Sequence, residues 1–210
     1  MIARRTLLTT TLHWAGASAV LLVLPAPLRR AWALPSGQQA TAFVRQTAQR
    51  LTSVVNGSMP LADKRRAMAQ IIDSAVDVDG VGTFCLGRFW RAATPDQQKA
   101  YLGLFHEVLV TSITGHLGEY AGVKVTVGRA SPAGDTQHVA SVVERPNNAP
   151  ANVDWVISDS SGSPKIVDVI AEGTSLRLTQ RSDYASFLSQ HGNNVAALIS
   201  AMRQQVAQNG

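Results

Sequence analysis

The sequence predicts an α+β domain: a four-stranded antiparallel sheet packed against N-terminal and C-terminal helices. Three observations lead there. Apolar residues recur at helical spacing up to about Gly122, alternate with a period of two from Val123 to Ala171, and return to helical spacing afterwards. The strand segments follow one another through short polar loops, which makes an antiparallel meander rather than crossover units. No internal repeat interrupts this order, so residues 34–210 are expected to form a single domain.

The chain begins with a segment that this domain does not need. Arg4 and Arg5 precede an apolar run from Leu12 to Leu24, prolines 25 and 27 break it, and Ala31-Trp32-Ala33 places small residues where a signal peptidase reads. The run is 13 residues long, short of the roughly 20 that a spanning helix requires. Residues 1–33 are therefore read as a cleaved signal peptide. The Arg4-Arg5 pair also fits twin-arginine export, which leaves two routes open.

In the mature segment, Phe43, Ala48, Leu51, Val54 and Val55 mark a first helix, with Ser36 as N-cap and Asn56-Gly57 as the stop. A second runs from about Leu61 to Ala75, with Met68, Ile71 and Ile72 on one face and Lys64, Arg65 and Arg66 on a solvated one. The stretch from Val81 to Trp90 is apolar but interrupted by glycines, which suits tight helical turns. Thr94-Pro95-Asp96-Gln97 supplies an N-cap, a proline at the first helical position and a capping-box glutamine. The helix it starts is expected to reach about Tyr120, with Tyr101, Leu104, Phe105, Val108, Leu109 and Ile113 as its apolar stripe.

The strands are read over Val123 to Val127, His138 to Arg145, Val153 to Ser158 and Lys165 to Ala171, with turns at Ser131–Asp135 and Asp159–Ser163. Two closing helical segments follow. Tyr184, Phe187 and Leu188 mark the first, which Gly192 stops, and Val195, Leu198, Ile199, Met202 and Val206 mark the second.

Charge narrows the function. The 210 residues carry a formal net charge of +5, which resembles a nucleic-acid footprint. Four of those charges are Arg4, Arg5, Arg29 and Arg30. Without them 15 basic residues face 14 acidic ones, so no nucleic-acid partner is expected. Cys85 is the single cysteine, which excludes an intrachain disulfide; its apolar sequence neighbours Phe84 and Leu86 suit an inert buried thiol.

Catalysis is not expected. The sequence has no phosphate-binding glycine loop, no Gly-x-Ser-x-Gly elbow and no histidine spacing that fits zinc, so neither cofactor nor metal is expected. Asp168, between Val167 and Val169, reads as solvated or as a structural hydrogen-bond acceptor. What remains is apolar surface, and a close-packed core and a lipid cavity would give the same pattern.

Three stretches carry a family resemblance. Leu86-Gly87-Arg88-Phe89-Trp90-Arg91, leading through Thr94 to Gln97-Gln98, opens a long helix that runs to Tyr120. Lys165-Ile166-Val167-Asp168-Val169-Ile170-Ala171-Glu172-Gly173-Thr174-Ser175-Leu176 is followed by Thr179-Gln180-Arg181-Ser182-Asp183-Tyr184. Together they resemble the periplasmic lipid-shuttle proteins of the MlaC, or toluene-tolerance, type, with Tyr184 standing where phenylalanine is usual.

The resemblance implies a periplasmic, monomeric carrier that holds a phospholipid's two acyl chains in an apolar cavity between sheet and helices. It also implies two partners, an inner-membrane ABC transporter complex and an outer-membrane lipoprotein complex. The expected lining is Phe84, Trp90, Phe105, Val108, Leu109, Val125, Val153, Trp155, Val169 and Leu176. A carrier of hopanoid or another lipid and a ligand-free periplasmic assembly module are the competing readings.

Overall fold

A computed structural model of the chain describes residues 36–159 and 162–209. The leader read over residues 1–33 lies outside them. Helix α1 spans Gly37–Asn56 and starts where its cap predicts: Ser36 Oγ accepts the Gln39 amide at 3.2 Å while Gln39 Oε1 accepts the Ser36 amide at 2.9 Å. Helix α2 spans Leu61–Ala75. Helix α3, Val78–Leu86, is capped by Asp77 and stopped at Gly87, where φ is +59°; one run of 3₁₀ turns, Gly87–Ala92, follows. Helix α4, Pro95–Gly115, has the expected Thr94/Gln97 capping box. It ends before Tyr120, because the glycines at 115 and 118 surround a break at His116, and Leu117–Tyr120 is a 3₁₀ turn.

The sheet has five strands rather than four. Its order is β1 (Lys124–Ala133), β2 (Thr136–Glu144), β3 (Ala151–Ser158), β4 (Lys165–Ala171) and β5 (Thr174–Ser175), each antiparallel to the next. The extra strand exists because Glu172 and Gly173 both take positive φ, +48° and +79°, and fold the chain back in two residues. Thr174 and Ser175 then pair with Ala171 and Ile170. The first turn is also narrower than expected. Ser131 and Pro132 stay in register with His138 and Gln137, and β1 is the edge strand, the place in a sheet where proline is tolerated.

Helix α5, Leu176–Gln190, starts a full two turns before the segment marked by Tyr184 to Leu188, and α6 spans Val195–Asn209. Leu176 and Leu178 in its first turn are 51% and 56% exposed, so the start has no inward apolar stripe to announce it.

Three apolar clusters hold these elements together. Helix α1 lies on one face of the sheet, where Ala40 and Val44 meet Ala75, Val139, Ile157 and Ile166. Val54 and Val55 at its far end join Met68, Ile71, Ile72, Leu117 and Val123. Helices α3 to α6 build a third cluster around Cys85, Leu86, Tyr101, Leu188 and Met202, each 1% exposed or less. Full burial of such a side chain contributes on the order of 1.5–3 kcal/mol.

Candidate functional site

Register decides which side chains share a face. Val139, Trp155 and Val169 stand abreast on β2, β3 and β4, and Ser141, Val153 and Ala171 form the next row. Val125, Val143 and Ala151 continue the same face. Two bulges adjust the alternation: β1 carries one extra residue between Val127 and Ala130, and Val167 is extra in β4. The second bulge returns Ile166 to the face of Val169, so both pack toward α1.

This face is unevenly covered. Val139, Ile157 and Ile166 are buried under α1, but Val125, Val127, Val143, Val153, Trp155 and Val169 are only partly buried. Phe43 of α1, also partly buried, packs against the same buried cluster as Trp155 and Val169. Trp155 is fixed within the row, since its Nε1 donates to Ser141 Oγ at 2.9 Å and Ser141 Oγ donates to the Val153 carbonyl at 2.9 Å. The indole is thereby held in a partly buried position on this face.

The ten residues read as a lining are spread over several surroundings. Val125, Val153, Trp155 and Val169 share the sheet face. Leu109, like Val125, packs against the buried cluster at the ends of α1 and α4. Phe84, Trp90, Phe105 and Val108 belong to the separate helical cluster, and Leu176 is exposed. Phe43, Val127 and Val143 join the sheet-face group although the sequence reading did not include them. The alternation of β1 pointed to Val127, whereas Phe43 has no signal beyond its place in the α1 stripe. Two open grooves of about 370 and 380 Å³ lie on the helical surface, one between α4 and Arg203 of α6 and one between α1 and α2. Neither is the cavity expected between sheet and helices.

A polar junction ties the middle of β4 to the start of α5. Asp168, on the opposite sheet face and 7% exposed, accepts from the Val169 amide at 2.8 Å, the Arg177 amide at 3.1 Å and Ser175 Oγ at 2.5 Å. Arg177 Nε lies 3.4 Å from the same carboxylate. The guanidinium groups of Arg177 and Arg181 both stack on the Phe84 ring, at 4.6 and 4.8 Å from its centroid. The sequence reading did not include this pair, although a four-residue spacing puts both side chains on one face of a helix. Gly87 leaves room for Arg181: a Cβ there would lie 3.2 Å from the guanidinium carbon.

Cys85 Sγ sits beneath, 3.5 Å from the Arg177 carbonyl. Burial first, then the Asp168 carboxylate, pushes its thiol up to about 12, against the opposing pull of the two arginines. Ser175 and Asp168 bond to each other, while His106, His116 and His191 pair elsewhere, with Asp73, Glu119 and the Phe187 carbonyl. No group of three or more His, Cys, Asp or Glu among the described residues is arranged to hold a metal, and no described helix is long and apolar enough to cross a membrane.

These features define an α+β domain of helices on an antiparallel meander, with a half-covered apolar sheet face and a polar lock between β4 and α5. The chain belongs to the MlaC protein family, which matches residues 43–204. It is 26% identical over 143 residues to the toluene tolerance protein ttg2D of Pseudomonas putida, covering 67% of this chain. It is 20% identical over 138 residues, 63% of this chain, to the intermembrane phospholipid transport system binding protein MlaC of Haemophilus influenzae. The matches span 66% and 64% of those relatives' own lengths. A phospholipid-binding protein from Ralstonia solanacearum, solved in complex with a phospholipid, shares the fold, with a TM-score of 0.69, 24% identity, and 80% of this chain and 97% of that one covered.

Proposed function

We propose that this protein is a periplasmic phospholipid carrier, exported by its leader, that passes lipid between an inner-membrane transporter complex and an outer-membrane lipoprotein complex. The observation that carries the reading is the half-covered sheet face around Val153, Trp155 and Val169. Phospholipid binding by the Ralstonia neighbour and the transport role named for the Haemophilus relative support it. The physical need is large. Two acyl chains hold on the order of 30 methylenes, and at roughly 0.8 kcal/mol each their exposure would cost about 25 kcal/mol. A water-borne carrier must enclose them, and the apolar, half-buried side chains of the sheet face are the groups suited to do so.

Solvent extraction of the purified mature protein followed by mass spectrometry tests this. Diacyl phospholipid near one per protein is expected. Protein that is lipid-free and takes up none from vesicles would overturn the carrier reading, and free fatty acid accumulating over time would replace it with hydrolysis. Trp155→Arg, which puts a charge on the sheet face, is expected to abolish lipid retention in a folded variant, judged by circular dichroism. Unchanged lipid content would remove Trp155 from the site.

A further inference from the structure

Two connections are fastened side by side at one end of the molecule. Asn56, the last residue of α1, donates from Nδ2 to the Val123 carbonyl at 3.1 Å and accepts the Gly122 amide at 2.8 Å. This ties the α1–α2 corner to the segment between α4 and β1. Beneath them Val54, Val55, Leu117 and Val123 are buried together. Outside, Leu61 is 53% exposed, and Met59, Ile113 and Tyr120 are each 38% exposed. Of the six large apolar side chains exposed among the described residues, four are therefore on these two neighbouring segments or within a turn of them, Leu61 at the start of α2 and Ile113 in the last turn of α4. The Arg145 guanidinium lies 4.8 Å over the Tyr120 ring.

Charge is segregated in the same direction. Residues 36–66 and 121–133, which form α1, the corner, the start of α2 and β1, carry Arg45, Arg50, Lys64, Arg65, Arg66, Lys124 and Arg129 against the one acid Asp63. The other described residues hold eight basic and thirteen acidic groups. Glu144, opposite Lys124 in the β1–β2 register, and Glu119, beside Tyr120, are acids at the same end, so the excess of positive charge there belongs to α1, the start of α2 and β1.

We propose that this end docks on the surface of an anionic lipid bilayer, with Met59, Leu61 and Tyr120 entering the headgroup layer and the basic side chains of α1, α2 and β1 over it. Apolar side chains gain by leaving water, and tyrosine suits a boundary that is apolar on one side and wet on the other. Each lysine or arginine near an anionic surface favours binding by roughly five-fold. The apolar residues stand on two turns and line neither surface groove, which favours a fluid bilayer over a shaped protein partner. This docking does not depend on which ligand the sheet face carries.

The test is co-sedimentation of the purified protein with vesicles of phosphatidylcholine, with and without phosphatidylglycerol. Binding is expected only with phosphatidylglycerol, with release near 1 M salt, where the screening length is about 3 Å. Lys124→Ala should weaken it by about five-fold and Leu61→Asp by at least as much, whereas Leu178→Asp on α5 should leave it unchanged. Failure to bind the anionic vesicles at low salt, equal binding to both vesicles, or equal loss in Leu61→Asp and Leu178→Asp would overturn the proposal. Lipid content after extraction, measured on the same variants, separates this result from the carrier reading.

Discussion

Replacing Asp168 by alanine is expected to be among the most damaging single changes in the chain. The carboxylate is 7% exposed and holds three donors: the Val169 amide, the Arg177 amide in the first turn of α5, and Ser175 Oγ, which is itself the N-cap of that helix. Arg177 adds a charge at 3.4 Å. Alanine leaves the two amides and the hydroxyl without this acceptor, and a guanidinium without its counter-charge over Phe84. Removing one partner of a buried ion pair costs about 3–5 kcal/mol, a large share of the roughly 5–15 kcal/mol that holds a domain folded. Asparagine keeps Oδ1 for the two amides and loses the charge, so about 1–2 kcal/mol is expected. Urea unfolding followed by circular dichroism reads both, with a lowered midpoint at unchanged slope as the signature. An alanine cost below about 1 kcal/mol would refute the assignment of Asp168 as the bond between sheet and α5.

Tyr184 presents the opposite case, because its hydroxyl is buried in the helical cluster with no hydrogen-bond partner. Tyr184→Phe is expected to raise stability by about 1 kcal/mol by removing an unsatisfied group, and a destabilised variant in the same urea assay would mean that the hydroxyl is bonded. Cys85 should resist a thiol reagent at pH 8 in the folded protein and react on unfolding, since its thiol is pushed up to about 12 by burial. The sign of the linkage follows: above about pH 9 the unfolded chain releases this proton while the folded one keeps it, so stability falls with rising pH, by at most about 1.4 kcal/mol per pH unit. Cys85→Ala should flatten that fall between pH 9 and 10, and an equal slope in wild type and variant would exclude the thiol as its source.

What the sequence disclosed was local. Ser36 with Gln39 and Thr94 with Gln97 are three residues apart, and the caps they predict are those observed, because a cap depends on its own turn alone. The β alternation likewise placed Val125, Val153 and Val169 together. The hidden features depend on contacts between distant segments. β5 is two residues long, too short for any period. The bulge at Val167 puts Ile166 and Val169 on one face, where strict alternation separates them. Phe84 and Trp155 are both partly buried aromatics in apolar sequence, and only packing assigns one to the helical cluster under two arginines and the other to the sheet.

That separation bears on how a carrier can take up and lose a ligand while remaining folded. The helical cluster is closed: Tyr101 and Leu188 are fully buried, and the Tyr101 hydroxyl donates to the Gly82 carbonyl at 2.9 Å. Parting such contacts would remove stability from the whole domain. The sheet face around Val153, Trp155 and Val169 is only half covered, so a ligand can gain contact there at little packing cost, and its loss returns those side chains to partial solvation. Asp168 lies between the two regions, on the far side of β4 from Val169 and bonded to the start of α5. Its network holds the helical cluster to the sheet from behind the candidate site, where it can stay intact whether or not the front face is occupied. On the proposed reading, ligand exchange falls to the partly covered part of the front face, while the Asp168 bonds on the other face of β4 keep α5 in place.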